Sequence, residues 1–185
     1  MSRTTIDIHI LQTVPPSNIN RDDTGSPKTA YYGGVRRARV SSQAWKRATR
    51  EAFKSELDQR DLGVRTKRVV ELLAAEIAAQ APDLLDTSVA LAMATLKKTG
   101  KGIDLETPKA AKGTLPPPDR SKYLLFLGRH QVSRLAELAV TAERAGVAVD
   151  TKDAKSAANS DHSIDVALFG RMVADDAELN VDATA

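Results

Sequence analysis

The chain has 185 residues, no cysteine and a formal net charge of +3. A chain of this length can bury one hydrophobic core, with room for a small second lobe. The lack of cysteine excludes disulfides and cysteine-based metal sites or nucleophiles, which favours a reducing compartment. The N-terminus is polar, and no apolar run approaches the roughly 18–20 residues that span a bilayer. The sequence therefore predicts a cytoplasmic protein with no membrane partner.

Positive charge is concentrated in the front of the chain. Residues 1–70 carry 14 basic and 7 acidic side chains, whereas the rest of the chain carries 13 basic and 17 acidic ones. The segment from Thr24 to Arg50 contains no Asp or Glu, and its basic residues are Lys28, Arg36, Arg37, Arg39, Lys46, Arg47 and Arg50. An acid-free basic segment in a nearly neutral chain indicates a polyanionic partner. We interpret this segment as a nucleic-acid-binding surface.

Two short strands are predicted in the front of the chain. Thr5 to Leu11 alternates isoleucines with other residues, a pattern typical of a strand. A loop rich in turn formers, VPPSNINRDDTGSP, follows it. Gly33-Gly34 then precedes a second strand, Val35 to Val40, in which Arg37 and Arg39 share a face.

A helix is predicted next, with Ser41 or Ser42 as its N-cap and an end near Gln59. One side of this helix carries the apolar residues Trp45, Ala48, Ala52 and Phe53. The opposite side carries Gln43, Lys46, Arg47, Arg50 and Lys54. We therefore expect Trp45 and Phe53 to be core anchors rather than base-stacking residues. The basic side is either a solvated surface or a phosphate-binding face, to which the positive end of the helix dipole would contribute.

The remainder of the chain is predicted to be mainly helical. Apolar stripes predict helices over Thr66 to Gln80, Asp83 to Lys98 and Val132 to Arg144. Lys97 to Pro118 has the composition of a polar loop, and Tyr123 to Leu127 is a short apolar run. Thr151 to Asp161 is predicted to be disordered or extended, and Ile164 to Phe169 to be a buried strand.

Little in the sequence indicates catalysis. His9, His130 and His162 lie far apart without metal-ligand spacing, and each is expected to be a packing or surface residue. Asp22 and Asp23 form the one adjacent acidic pair of the basic front. Such pairs usually form turns, although two carboxylates on a loop could hold Mg²⁺ beside a phosphate. We expect no cofactor and no enzymatic activity.

Two blocks of sequence resemble one family. The first runs from IDIHIL through NINRDD and a following lysine to GGVRRARVSSQAWKRATR, and the second is Asp165 to Met172, DVALFGRM. In this order, with a helical insertion between them, they resemble the CasC family. These proteins are the Cas-seven backbone subunits of type I-E CRISPR Cascade complexes.

The resemblance implies an α+β fold with an RRM-like (ferredoxin-like) palm and a helical fingers insertion. The palm would begin in residues 1–60, the fingers would occupy residues 61–160, and residues 161–185 would return to the palm. Family members are longer than this chain, so the palm would be incomplete and its uncovered sheet would favour self-association. The chain would correspond to the N-terminal half of such a subunit.

The resemblance also implies a function and its residues. The subunit would bind CRISPR RNA, meet target DNA through the guide, and contact other copies of itself and other Cascade subunits. Its RNA-binding residues would be Arg21, Lys28, Ser41, Gln43, Lys46, Arg47, Arg50 and Met172. Two alternatives stay open: a metal-dependent ribonuclease like type III relatives, using Asp22 or Asp23, and a protein-interaction fragment without RNA affinity.

Overall fold

The computed structural model describes residues 6–7, 12–99, 103–109, 117–173 and 177–184. Contacts within the chain divide it into two compact units, Met1–Thr49 and Arg50–Ala185. The predicted strand Thr5 to Leu11 lies outside the described residues except for Ile6 and Asp7. None of the helices in the described ranges has the length and apolarity needed to cross a membrane.

The first unit contains a β-hairpin. Strand β1 is Thr29–Tyr32 and strand β2 is Val35–Ala38, and the register pairs Thr29 with Ala38 and Tyr32 with Val35. The turn residues Gly33 and Gly34 have φ values of 62° and 76°. Two successive positive φ values produce the turn whose twist matches a two-residue hairpin, and glycine adopts them without a steric penalty. The second strand is confirmed, but its partner β1 was not predicted.

Helix α1, Ser42–Glu56, follows the hairpin and contains the boundary between the two units. The hydroxyl of Ser41 accepts a hydrogen bond from the backbone N–H of Ala44 at 3.3 Å, as an N-cap does. Both the helix and its cap are confirmed. The helix ends three residues before the predicted Gln59, because Asp58 caps a separate 3₁₀ turn, Gln59–Asp61.

The second unit is built around a short two-stranded ribbon. Strands β3, Gly63–Thr66, and β6, Leu125–Gly128, are antiparallel, with Gly63 opposite Gly128. Thr66 was predicted to begin a helix, but it ends β3 and the helix begins at Val69. A shorter pair, β4 (Leu105–Glu106) and β5 (Arg120–Ser121), lies in the segment between Lys98 and Leu125.

Four helices supply the core of the second unit: α2 (Val69–Gln80), α3 (Ser88–Lys98), α4 (Arg129–Ala145) and α5 (Thr151–Asn159). Their fully buried side chains include Leu73, Ile77, Leu96 and Leu135, which pack with Leu125 and Leu127 of the ribbon. Burial of this apolar surface is the main stabilising contribution to the unit. The helices predicted over this region are confirmed, although residues 82–87 form a 3₁₀ helix before α3.

Two predictions for the end of the chain are wrong. Thr151 to Asp161 is not extended: Asp150 caps helix α5 by accepting from the N–H groups of Lys152 and Asp153 at 2.7 and 3.2 Å. The buried face of α5 consists of Ala154, Ala157 and Ala158, so the polar composition hides a face made of small residues.

The second wrong prediction is the strand over Ile164 to Phe169, which is helix α6, Ile164–Phe169. A six-residue apolar run does not distinguish the two forms by its periodicity. Gly170 ends the helix with a φ of 73°, and a Cβ there would lie 2.7 Å from the backbone oxygen of Val181. The described residues therefore form a mixture of helices and small antiparallel ribbons. This agrees with the α+β class at a coarse level, and the RRM-like palm stays a prediction.

Candidate nucleic-acid interface

The loop before the hairpin is ordered by its own side chains. One carboxylate oxygen of Asp22, Oδ1, accepts from the hydroxyl of Thr24 at 2.7 Å and from the N–H groups of Thr24 and Ser26 at 2.9 Å. The hydrogen bond from Thr24 is the main cause that holds the pKa of Asp22 below its ordinary value, and the charge of Lys28 adds to it. Asp22 therefore shapes the turn that separates Arg21 from Lys28.

Asn20 connects this loop to the start of α1. Its backbone oxygen accepts from the N–H of Lys28 at 2.8 Å, and its side-chain Oδ1 accepts from the N–H of Ser41 at 2.9 Å. The N–H of Arg39 donates to the oxygen of Lys28 at 2.9 Å and extends the hairpin ladder by one pair. Within the first unit, these bonds hold Arg21, Lys28 and the first turn of α1 in one connected backbone framework.

The hairpin carries one arginine and one tyrosine on each face. Arg36 lies opposite Tyr31, and its Nε donates to the hydroxyl of Thr29 at 3.1 Å. Arg37 lies on the other face with Tyr32, whose backbone oxygen accepts from Arg37 Nε at 3.1 Å. Tyr31 and Tyr32 are 80% and 76% exposed. Because the ladder continues to Lys28 and Arg39, Arg37 and Arg39 share a face, as predicted.

The predicted RNA-binding residues of the first unit are mostly accessible. Arg21, Gln43 and Arg47 are exposed, Lys28 and Lys46 are partly buried, and Ser41 is buried. Within the described ranges, the arginines of this unit have no carboxylate at ion-pair distance: Arg21, Arg36, Arg37, Arg39 and Arg47. Accessible arginines without acidic neighbours are available to bind an external anion.

Trp45 is not a core residue. It is 61% exposed, and α1 has no buried residue along its length. Trp45 was predicted to be buried because it lies on the same side of the helix as Phe53. That prediction assumed that a hydrophobic core covers this side of α1 along its whole length. The described part of the first unit contains no buried apolar side chain to form one.

Arg50 lies in the second unit, and its surroundings differ from those predicted. Its guanidinium carbon is 5.1 Å from the ring centroid of Phe126 and 4.8 Å from that of Phe169, and Phe169 stacks on Phe53 at 6.3 Å. Burial lowers the pKa of Arg50, the charge of Asp165 raises it and that of Arg65 lowers it. The prediction that Arg50 faces away from Phe53 is therefore wrong, because cation–π attraction draws it onto the rings.

Met172 is 83% exposed, and its neighbour Arg171 is 4% exposed. The buried guanidinium donates to the backbone oxygens of Leu179 at 2.7 Å, Phe126 at 3.2 Å and Ala158 at 3.2 Å, and to Asn159 Oδ1 at 3.0 Å. Burial lowers the pKa of Arg171 to about 10, so the side chain stays charged at neutral pH. The sequence analysis includes Arg171 in the DVALFGRM block but predicts no role for it. Its position next to Met172 is the one sequence feature that could have drawn attention to it.

Two of the three histidines, His130 and His162, lie beside polar side chains of the protein. His130 Nε2 lies 3.5 Å from Asp61, and His162 Nδ1 accepts from the side-chain amide of Gln131 at 2.9 Å. In the ranges that the structure describes, no three His, Cys, Asp or Glu side chains are grouped as metal ligands would be. His9 lies outside those ranges, and the ribonuclease alternative stays a prediction.

Comparison with known proteins places the chain in a family. The model of the family described as CT1975-like protein matches residues 6–185. The chain belongs to this family. No match is found among curated proteins.

Solved structures similar to this CT1975-like chain come from multi-subunit assemblies. A chain of a CRISPR RNA-guided surveillance complex is 34% identical with a TM-score of 0.71, over 93% of this chain and 53% of its own length. A chain described as CRISPR RNA-guided surveillance complex, pre-nicking, is 34% identical with a TM-score of 0.68, over 90% and 46%. This chain thus spans about half the length of the chains that it matches.

Proposed function

We propose that this CT1975-like chain forms part of the backbone subunit of a type I-E Cascade-like surveillance complex. It binds the backbone of a CRISPR RNA so that the guide bases can pair with target DNA. Its partners are the guide RNA, further copies of the subunit and other subunits of the complex. Residues 1–60 and 161–185 belong to an RRM-like palm, and residues 61–160 form the helical fingers insertion.

The observation that carries this proposal is that the described arginines of the first unit have no described carboxylate at ion-pair distance. A folded surface normally intersperses both signs of charge, and unpaired arginines at short spacing repel one another unless an anion approaches. The loop, the hairpin and α1 supply them from an ordered backbone, because Asn20 connects the loop to the hairpin and to the start of the helix. The family match and the 34% identity to surveillance-complex chains are consistent with RNA as that anion.

Recognition of this kind is directed at phosphates. Arginine and lysine side chains bind phosphate oxygens through charge-assisted hydrogen bonds, which fix the position of a strand without reading its sequence. The residues proposed to do so are Arg21, Lys28, Ser41, Gln43, Lys46, Arg47 and Arg50, with Met172 beside a displaced nucleotide. No chemical step is required of them, so the role is that of a scaffold.

Binding to single-stranded RNA at several salt concentrations tests the proposal. Two labelled RNAs of unrelated sequence should bind with similar affinity, and log K should fall linearly with log salt, by roughly 0.7 for each phosphate contact. Absence of binding, or strong preference for one sequence, would contradict backbone recognition. Shortening of the RNA in the presence of Mg²⁺, abolished by Asp22→Asn or Asp23→Asn, would show the ribonuclease alternative instead.

A further inference from the structure

The face of the β3–β6 ribbon that points away from the core carries two arginines beside a buried ring, since Phe126 is only 6% exposed while Arg65 is exposed. In the register of this ribbon, Arg65 lies directly opposite Phe126, so the two side chains share one face. The core lies on the other face, where Leu125 and Leu127 are buried. Arg50 stands over the same Phe126 ring, with its guanidinium carbon 5.1 Å from the centroid. Phe126 therefore has an arginine from α1 and an arginine from β3 beside it.

This pair of arginines lacks full neutralisation by the protein. Among the described residues, neither guanidinium has a carboxylate at ion-pair distance. The acid close enough to affect Arg50 is Asp165. Its Oδ1 already accepts from the N–H of Gly63 at 2.9 Å, the hydroxyl of Ser163 at 2.7 Å and the N–H of Val166 at 3.1 Å. Two cations and one occupied carboxylate leave net positive charge on this face.

The hydrogen-bond donors of Arg50 also indicate that this face can bind an anion. Its Nε is buried and has no hydrogen-bond partner in the described structure. A buried donor without a partner is costly, and cation–π contact with Phe126 and Phe169 does not satisfy its N–H. The two rings, with centroids 5.1 and 4.8 Å from the guanidinium carbon, hold the guanidinium in place. An oxygen-rich anion that approached Arg50 and Arg65 together would neutralise both charges and offer acceptors to their free N–H groups.

We propose that Arg50 and Arg65 form a two-arginine phosphate site on the outer face of the ribbon, with Phe126 as its floor. The ligand class is a phosphodiester, and the inference rests on the proposed function in assigning that group to an RNA strand. Arg65 was outside the set predicted from the sequence, so the site adds a contact to the RNA-binding surface. Two planar guanidinium groups suit a tetrahedral phosphate, whose oxygens accept pairs of N–H donors.

The test uses the whole chain and the variant Arg65→Gln, which removes the charge from an exposed side chain. Arg68→Gln is the matched control, because Arg68 is three residues away and its guanidinium is paired with Glu71, Nε to Oε1 at 2.8 Å. Inorganic phosphate is titrated while the Nε–Hε signals of the arginines are followed by NMR. Salt-dependent binding of single-stranded RNA is measured on the same proteins.

Phosphate should shift the Arg50 and Arg65 signals saturably in the unsubstituted chain and in Arg68→Gln, and should leave Arg50 unshifted in Arg65→Gln. The salt slope of RNA binding should fall by roughly 0.7 in Arg65→Gln and stay unchanged in Arg68→Gln. An unshifted Arg50 signal in the unsubstituted chain, or an equal shift in Arg65→Gln, would overturn the site. Phosphate binding as described without any RNA binding would uphold the site as an anion site and reject the proposed function.

Discussion

The side-chain oxygen of Asn20 accepts a hydrogen bond from the backbone N–H of Ser41 at 2.9 Å, across 21 residues of sequence. Asn20→Ala would leave this partly buried N–H without a partner, which costs about 1–3 kcal/mol. Hydrogen exchange at the Ser41 amide should accelerate by about tenfold or more, since 1.4 kcal/mol corresponds to a factor of ten. RNA affinity should fall as the loop and helix lose their connection.

Asn18→Ala is the matched control for this prediction. Asn18 is exposed, and its replacement should leave both the Ser41 amide and RNA affinity unchanged. Equal exchange rates in the two variants would show that the hydrogen bond does not order the loop.

Arg21 and Arg47 test the proposed phosphate contacts of the first unit. Both are exposed and lack carboxylate partners in the described ranges, so Arg21→Ala with Arg47→Ala should leave thermal unfolding within about 0.5 kcal/mol of the original. The salt slope of RNA binding should decrease by roughly 1.4, or 0.7 for each contact. Arg144→Ala, which removes an exposed arginine 3.6 Å from Asp83, should change neither quantity. A double variant with an unaltered slope would remove these residues from the interface.

Trp45 and Leu73 should respond differently to truncation. Trp45→Ala removes a side chain that is 61% exposed, so the free energy of unfolding should change by less than about 1 kcal/mol. Leu73→Ala empties a fully buried position and should cost about 2–5 kcal/mol. Chemical denaturation of the two variants measures both. A loss of several kcal/mol for Trp45→Ala would restore the core position that the helical wheel predicted.

These contrasts show which parts of the structure the sequence could predict. The strand Val35–Ala38, helix α1 and the helices of the core follow from local periodicity and caps, which act within a few residues. The position of the Arg50 side chain depends on Phe126, which is 76 residues away in the sequence. The burial of Trp45 depends on whether another element of the fold packs against its side of α1. Periodicity carries no information about such distant partners. The charge pattern did identify the segment that contains four of the five described arginines of the first unit that have no carboxylate at ion-pair distance: Arg36, Arg37, Arg39 and Arg47.

Arg171 should be required for folding of the second unit. Arg171→Leu would remove a guanidinium that hydrogen-bonds three backbone oxygens and Asn159, leaving buried acceptors unsatisfied at a cost of about 3–5 kcal/mol. Arg171→Lys should recover only part of this loss, because one ammonium cannot reproduce the planar set of donors. Thermal unfolding measures both, and a stability equal to the original for either variant would contradict the role.

His162 should make stability depend on pH. Burial, and then the charge of Arg171, lower its pKa below the ordinary value of 6.5, and its Nδ1 accepts from Gln131 in the neutral form. The unfolded state therefore binds more protons just below pH 6.5, so the free energy of unfolding should fall as the pH decreases from 6.5 towards the lower folded pKa. His162→Asn should weaken this dependence, whereas His130→Asn, at an exposed side chain, should retain it. Identical pH profiles for the original chain and His162→Asn would refute the assignment.

Among the described residues, every buried apolar side chain lies within the range Leu62–Leu179, and Ser41 is the one buried residue of the first unit. Residues 12–49 therefore supply proposed RNA contacts without supplying apolar side chains to a core, whereas Arg50, Arg65 and Met172 lie in the unit that contains the core. At the exposed positions among residues 12–49, gains in affinity are therefore little limited by the loss of stability that usually accompanies them. Variants at these positions could be selected for RNA affinity without a parallel selection for stability. Substitutions that accumulate there would change RNA binding before they destabilised the fold.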